Sequence, residues 1–253
     1  MTTAANVPRV SANQSNDNEN DLVSHGTVYD DVKYPYIIYV RGTSSLCTGS
    51  LIQPLFVLTA AHCSWGMAAK DLKMTSEWKG FDSFAVIGGT PEEFANGRTV
   101  NCVVIGFGQR EGPQAAKWNG FQTDVVAGYG PNACAKPLPG GGWKNYICAK
   151  PNKKSVCQGD SGGPLICNDK LYGTVKDGYN FKYFNKTICG DPNVQTRHIF
   201  LYWHREWIDK ITNGQNEYYD DYFDNAPTNR QYFTIVAFFA ILSLSGQVVF
   251  FSI

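Results

Sequence analysis

Eight cysteines, Cys47, Cys63, Cys102, Cys134, Cys148, Cys157, Cys167 and Cys189, are spread through the middle of a 253-residue chain and restrict its fold more than any other feature. Their number is even, none form a CxxC pair, and no histidine stands at metal-ligand spacing, so the set reads as disulfides rather than as a zinc centre. Spacing alone leaves on the order of a hundred connectivities open. Cross-links of this density call for an oxidising compartment. With 43% hydrophobic residues the chain can bury a full core. Its formal net charge is zero and it has no basic run, which removes the electrostatic case for nucleic acid.

Two short segments carry chemistry. Leu58-Thr59-Ala60-Ala61-His62-Cys63 holds a base, and Cys157-Gln158-Gly159-Asp160-Ser161-Gly162-Gly163-Pro164-Leu165 holds a nucleophile. A serine hydroxyl attacks a carbonyl only when a positioned imidazole takes its proton, and the developing oxyanion needs backbone N–H donors aimed by a tight, Gly-rich turn. Gly159 and Ser161 are the donors expected here.

Both segments resemble those of the chymotrypsin/trypsin-like serine proteases, peptidase family S1. So do the flanks Cys47-Thr48-Gly49-Ser50-Leu51-Ile52, Tyr34-Pro35-Tyr36, and Pro192-Asn193-Val194 ahead of a closing Trp207-Ile208 helix. The similarity covers roughly Val23 to Ile211. It implies an all-β fold of two six-stranded antiparallel β-barrels of trypsin-like type, the first incomplete here. A short C-terminal α-helix and a hydrophobic C-terminal helix would follow. It further implies a serine endopeptidase, a hydrolase of peptide bonds, with His62 as general base and Ser161 as nucleophile. The oxyanion hole would be Gly159 and Ser161, the substrate pocket Ser155, Gly178 and Asn193, and the partner a polypeptide substrate. No metal or organic cofactor is required. The implied disulfides are Cys47–Cys63, Cys102–Cys167, Cys134–Cys148 and Cys157–Cys189.

The sequence departs from the family in three places. Between Cys63 and Cys102 the chain is well short of the family pattern, and the triad acid has no counterpart; Asp71 and Asp82 are the nearest stand-ins. Asp160 is the buried acid that in the family pairs with a new N-terminal ammonium. The matching start, Leu22-Val23-Ser24-His25-Gly26, follows Asn18-Glu19-Asn20-Asp21, with no Lys or Arg for a trypsin-like activator. Lys176 and Asp177 replace the Ser and Trp of the substrate wall. Ser155 stands where trypsin-like members carry Asp, so no basic preference is implied. Asn193 replaces a Gly, and its side chain is expected to narrow the pocket. His25, His198 and His204 are assigned structural or solvated roles.

The organisation expected is a disordered leader over 1–22 and a protease domain over 23–211. Within that domain the truncated first barrel runs to about 100, the second barrel over about 101–198, and the terminal helix over 199–211, where Ile199, Trp203, Trp207 and Ile211 recur at four-residue steps. This helix should pack on the second barrel. A polar linker over 212–232 leads to an uncharged apolar segment, 233–253, long enough to cross a bilayer or to act as a GPI signal. The leader lacks the apolar stretch of a signal peptide, so an extracellular, membrane-anchored location implies one upstream of Met1. Beside the protease reading stand two others: an inactive pseudoprotease that binds partners in the old cleft, and a non-productive truncated isoform.

Overall fold

The computed structural model describes residues 22–41, 46–53, 56–63, 73–74, 83–109, 120–134, 139–182, 188–213 and 234–238. Their strands are β1 (Thr27–Val28), β2 (Ile37–Arg41), β3 (Leu46–Gln53), β4 (Phe56–Ala60), β5 (Lys73–Met74), β6 (Thr99–Gly106), β7 (Phe121–Gly128), β8 (Tyr146–Ala149), β9 (Pro164–Cys167), β10 (Lys170–Asn180), β11 (Val194–Phe200) and β12 (Thr234–Phe238).

The C-terminal half closes on itself. Its strands run β7-β6-β9-β10-β11-β8, and β8 pairs back on β7 through Ala127↔Ala149 and Gly128↔Cys148, giving a six-stranded antiparallel barrel with β1 added outside β7. Alternation along β7 explains the inward face, since Phe121, Thr123, Val125 and Ala127 are buried while Asp124 is exposed. Val104, Val125, Ala127, Ile147, Leu165, Val175 and Phe200 fill the interior. The disulfide Cys102–Cys167 joins directly opposed residues of β6 and β9.

The N-terminal half remains an open five-stranded sheet, β12-β4-β3-β2-β5. It is antiparallel except at β12, which runs parallel to β4. A hydrophobic helix was expected across 233–253. Where the segment is described, over Thr234–Phe238, it is a strand; the rest lies outside the described residues. The physical reason is that β4 offers an unpaired edge and Thr-Ile-Val-Ala-Phe is a run suited to filling it. Among the described residues no helix is long and apolar enough to cross a membrane.

The C-terminal helix, Arg205–Asn213, begins later than the apolar spacing implies, because Ile199 and Phe200 are the last residues of β11, opposite Thr174 and Gly173. A short 3-10 turn, Leu201–His204, links the two. Nor does the helix rest on the barrel alone. Ile208 is buried in one cluster with Ile52, Phe56 and Leu58 of the open sheet and with Leu171 and Leu201 of the other half. It therefore bolts the two halves together.

Candidate active site

The turn that carries Ser161 is built from its backbone donors. The Asp160 N–H donates to the Cys157 carbonyl (3.1 Å), Gly162 to Val175 (2.8 Å) and Gly163 to Asp160 (2.9 Å). Among the described residues, the N–H groups of Gly159 and Ser161 donate to nothing. Gly159 adopts φ 104° and Gly162 φ 83°, values that L side chains avoid. A Cβ on Gly162 would also strike the Thr59 hydroxyl and the Thr48 carbonyl. The turn thus leaves the Gly159 and Ser161 N–H groups unspent while the one between them, at Asp160, is engaged.

Thr48 couples this turn to the open sheet, a role that its place in the quoted Cys47-Thr48-Gly49 flank did not reveal. Its N–H donates to the Ser161 carbonyl (2.9 Å), and its hydroxyl donates to the Gly159 carbonyl (3.1 Å) while accepting from the Phe107 N–H (3.0 Å). The Thr59 hydroxyl in turn donates to the Thr48 carbonyl (2.7 Å). Thr48 is fully buried, so each of these bonds stands in a low-dielectric setting.

His62 follows β4 in the 3-10 turn Ala61–Cys63 and is exposed, whereas Cys63 is buried. The Cys47–Cys63 disulfide ties this turn to β3, and Cys63 Sγ lies 3.6 Å from the Ser161 carbonyl oxygen. The base and nucleophile turns are therefore adjacent. A ring nitrogen of His62 also lies within 4.8 Å of both sulfurs of that disulfide, but bonded sulfurs have no thiolate to offer a metal. Among the described residues His62 makes no hydrogen bond to a carboxylate; Asp71 and Asp82 lie outside them.

The charges that His62 feels come instead from the substrate wall. Partial burial lowers its pKa, the Lys176 ammonium lowers it further, and Asp177 opposes both. Lys176 has this influence because it is the extra residue of a bulge: Val175 faces His198 and Asp177 faces Arg197, leaving Lys176 without an opposite number. Asp177 is committed elsewhere. It binds the Arg197 guanidinium through two bonds (2.6 and 2.7 Å) and the Lys176 ammonium (2.7 Å). Burial pushes its carboxyl up, but these partners outweigh burial and hold it below the usual range. Lys176→Met is expected to raise the His62 pKa, because the nearest cation is lost while Asp177 stays; the imidazole proton shifts in an NMR titration measure this, and an unchanged midpoint would refute it.

Asp160 is fully buried and accepts the N–H of Gly108 (2.8 Å) and of Cys157 (2.7 Å). Burial nonetheless raises its pKa to about 7, since two amides do not replace hydration and no cation reaches it among the described residues. The expected activation segment is a turn, Leu22–His25, packed on β7. Val23 is buried with Phe121 at φ 43°, and the Ser24 hydroxyl donates to the Lys153 carbonyl (2.5 Å).

The pocket residues are placed as follows. Ser155 is buried, and its hydroxyl accepts the Gly190 N–H (3.3 Å). Gly178 lies in β10, and Asn193 lies just before β11. The Asn193 amide binds Asp191, donating through Nδ2 (2.8 Å) beside its own backbone N–H (2.8 Å). Cys157–Cys189 and Cys134–Cys148 complete the implied disulfide set. His198 is fully buried in the barrel wall, His204 is partly buried before the helix, and His25 is exposed.

Comparison with known proteins gives the same frame. The chain is 29% identical over 218 residues to trypsin epsilon of Drosophila erecta, covering 70% of this chain and 82% of that protein. It is 32% identical over 110 residues to kallikrein-8 of Rattus norvegicus, which spans only 43% of this chain and 40% of that protein. A snake venom serine protease, 2C of Craspedocephalus gramineus, is 26% identical over 246 residues. Among solved structures, neuropsin, a serine protease expressed in the limbic system of mouse brain, superposes with a TM-score of 0.56 at 21% identity, covering 74% of this chain and 99% of that one. The Trypsin family profile matches residues 23–83 and 72–203, most of the described body, and the chain belongs to that family.

Proposed function

We propose that the chain is a slow serine endopeptidase in which Ser161 is the nucleophile and His62 the base. The observation that carries this reading is the pair of unspent N–H groups at Gly159 and Ser161, on either side of an Asp160 N–H that the Cys157 carbonyl engages. In this mechanism Ser161 Oγ attacks the scissile carbonyl carbon as His62 takes its proton. The oxyanion accepts from the two N–H groups, and the imidazolium then protonates the leaving amine before water releases the acyl group. What is weakened is support for the imidazolium. Lys176 faces it where the family has a neutral Ser, and no acid holds its tautomer among the described residues. In related enzymes neutralising that acid lowers turnover about 10⁴-fold, or about 5 kcal/mol of barrier.

Four disulfides and a venom protease among the relatives support an extracellular or otherwise oxidising setting. A fluorophosphonate probe is expected to label Ser161 slowly and to leave Ser161→Ala unlabelled; no labelling of the folded, oxidised chain would sink the proposal. The positive charge of Lys176, which lowers the His62 pKa, favours a second reading, a pseudoprotease that holds peptides without cleaving them. Peptide hydrolysis that disappears in His62→Ala separates the two, since a pure binder shows none in either form.

A further inference from the structure

All five residues of β4, Phe56 to Ala60, are buried. On one side the strand pairs with β3 through Gly49↔Thr59, Ser50↔Leu58, Leu51↔Val57 and Gln53↔Phe56. Among the described residues no outer strand of the first half lies on the opposite side, so without another occupant that edge would be a row of unpaired amides and carbonyls with no water to receive them. Each such buried group costs about 1–3 kcal/mol. A protein cannot leave an edge of this kind bare.

The occupant is the chain's own C-terminal segment. Thr234 lies opposite Phe56, Ile235 opposite Val57, Val236 opposite Leu58, Ala237 opposite Thr59 and Phe238 opposite Ala60, so the parallel pairing follows β4 along its whole length. The chain leaves the domain at the right place for this. The helix ending at Asn213 packs through Ile208 and Ile211 on the cluster that contains Phe56 and Leu58. The intervening residues, 214–233, span at most about 70 Å when extended, more than enough to return along the sheet.

We propose that the apolar C-terminal segment is an intramolecular strand donor, in which Thr234–Phe238 substitutes for a missing outer strand and seals β4. The proposal is independent of whether the site turns over peptides. It assigns this part of the segment to the fold of the domain rather than to a bilayer, and it makes β4 a receptor for one parallel, uncharged, β-branched strand.

Hydrogen exchange on the oxidised full-length chain, read by mass spectrometry, tests it. Peptides covering 56–60 and 234–238 are expected to be protected together, at least about 100-fold over unstructured rates. A chain ending at Gln231 should lose protection at 56–60 while β9 and β10 keep theirs, and a synthetic 232–240 peptide should restore it. Exchange of 234–238 at the free-peptide rate in the full chain overturns the proposal, whatever the shortened chain does. So does β4 protection that survives truncation. Phosphatidylcholine vesicles should leave the pattern unchanged; transfer of 234–238 into the bilayer with loss of β4 protection overturns the proposal. A dimer with the same pattern overturns the intramolecular assignment and gives the donor role to a second copy.

Discussion

A chain that begins at Leu22 with a free α-amino group is expected to be more stable than the full chain by about 3–5 kcal/mol near pH 7, the scale for supplying the partner of a buried charge. In the full chain the Asp160 pKa stands at about 7 against an ordinary 3.8. Its destabilising effect is therefore absent below about pH 4 and grows as the pH rises toward 7. An ammonium beside the carboxylate reverses the sign: it draws the acid's pKa down, and the stabilisation persists until the amine loses its proton in alkali. Val23 supplies the mechanical part of the argument. It is buried at φ 43°, a conformation that strains a β-branched residue, and a break in front of Leu22 frees the chain to relax there. Denaturant unfolding at pH 7 and pH 10, with an N-acetylated copy as control, measures the effect. Equal stability of the free and acetylated forms at pH 7 would rule it out. Faster fluorophosphonate labelling of the free form should accompany the gain, because Asp160 sits between Gly159 and Ser161, the proposed oxyanion donors.

His198→Val is expected to remove an acid sensitivity worth about 3 kcal/mol. His198 is fully buried; its Nδ1 lies 3.4 Å from the Ile147 carbonyl, and its Nε2 has no partner among the described residues. Burial lowers its pKa to about 4, against smaller opposing effects of the Ile147 carbonyl and Asp177. Above pH 6.5 the ring is neutral whether folded or not, and it contributes no pH dependence. As the pH falls from 6.5 toward 4 the unfolded chain takes up a proton that the folded chain refuses, so stability drains away across that window. About two and a half pKa steps at about 1.4 kcal/mol each set the magnitude. Asp160 acts in the opposite direction over much of the same range, so the difference between variant and parent isolates the His198 share. A stability difference that stays constant from pH 7 to pH 4.5 would disprove the assignment.

Motifs made of adjacent residues were legible in the sequence, and features made by distant ones were not. Cys47-Thr48-Gly49 and Gln158-Gly159-Asp160-Ser161 point to the fold because a tight turn is specified by its own residues. The four disulfides follow the pairing that the resemblance implies. Thr48 escaped notice because its importance lies in bonds to Gly159, Ser161 and Phe107, all far along the chain. Ile199, Trp203, Trp207 and Ile211 read as one helical stripe, yet Ile199 is buried with Cys134, Tyr146 and Cys148 while Ile211 packs on the other half; two elements share one period by sequence accident. The strand at Thr234–Phe238 was hidden for a related reason. An uncharged apolar run looks alike whether it meets lipid or an open sheet edge, and that edge exists only once β2, β3 and β4 have assembled.

The proposed nucleophile and base hang from units of unequal closure. Ser161 precedes β9 of a ring in which every strand has two neighbours, whereas His62 sits in the turn after β4 of an open sheet, held to β3 by the disulfide of the adjacent Cys63. Regions with free edges open at lower free energy than closed ones. Mild heating would therefore separate the reacting pair while the barrel still scatters, fluoresces and resists proteases as a folded body. On the proposed mechanism, loss of catalysis and loss of structure are two events, and the temperature at which activity stops would be set by the half that does not carry Ser161.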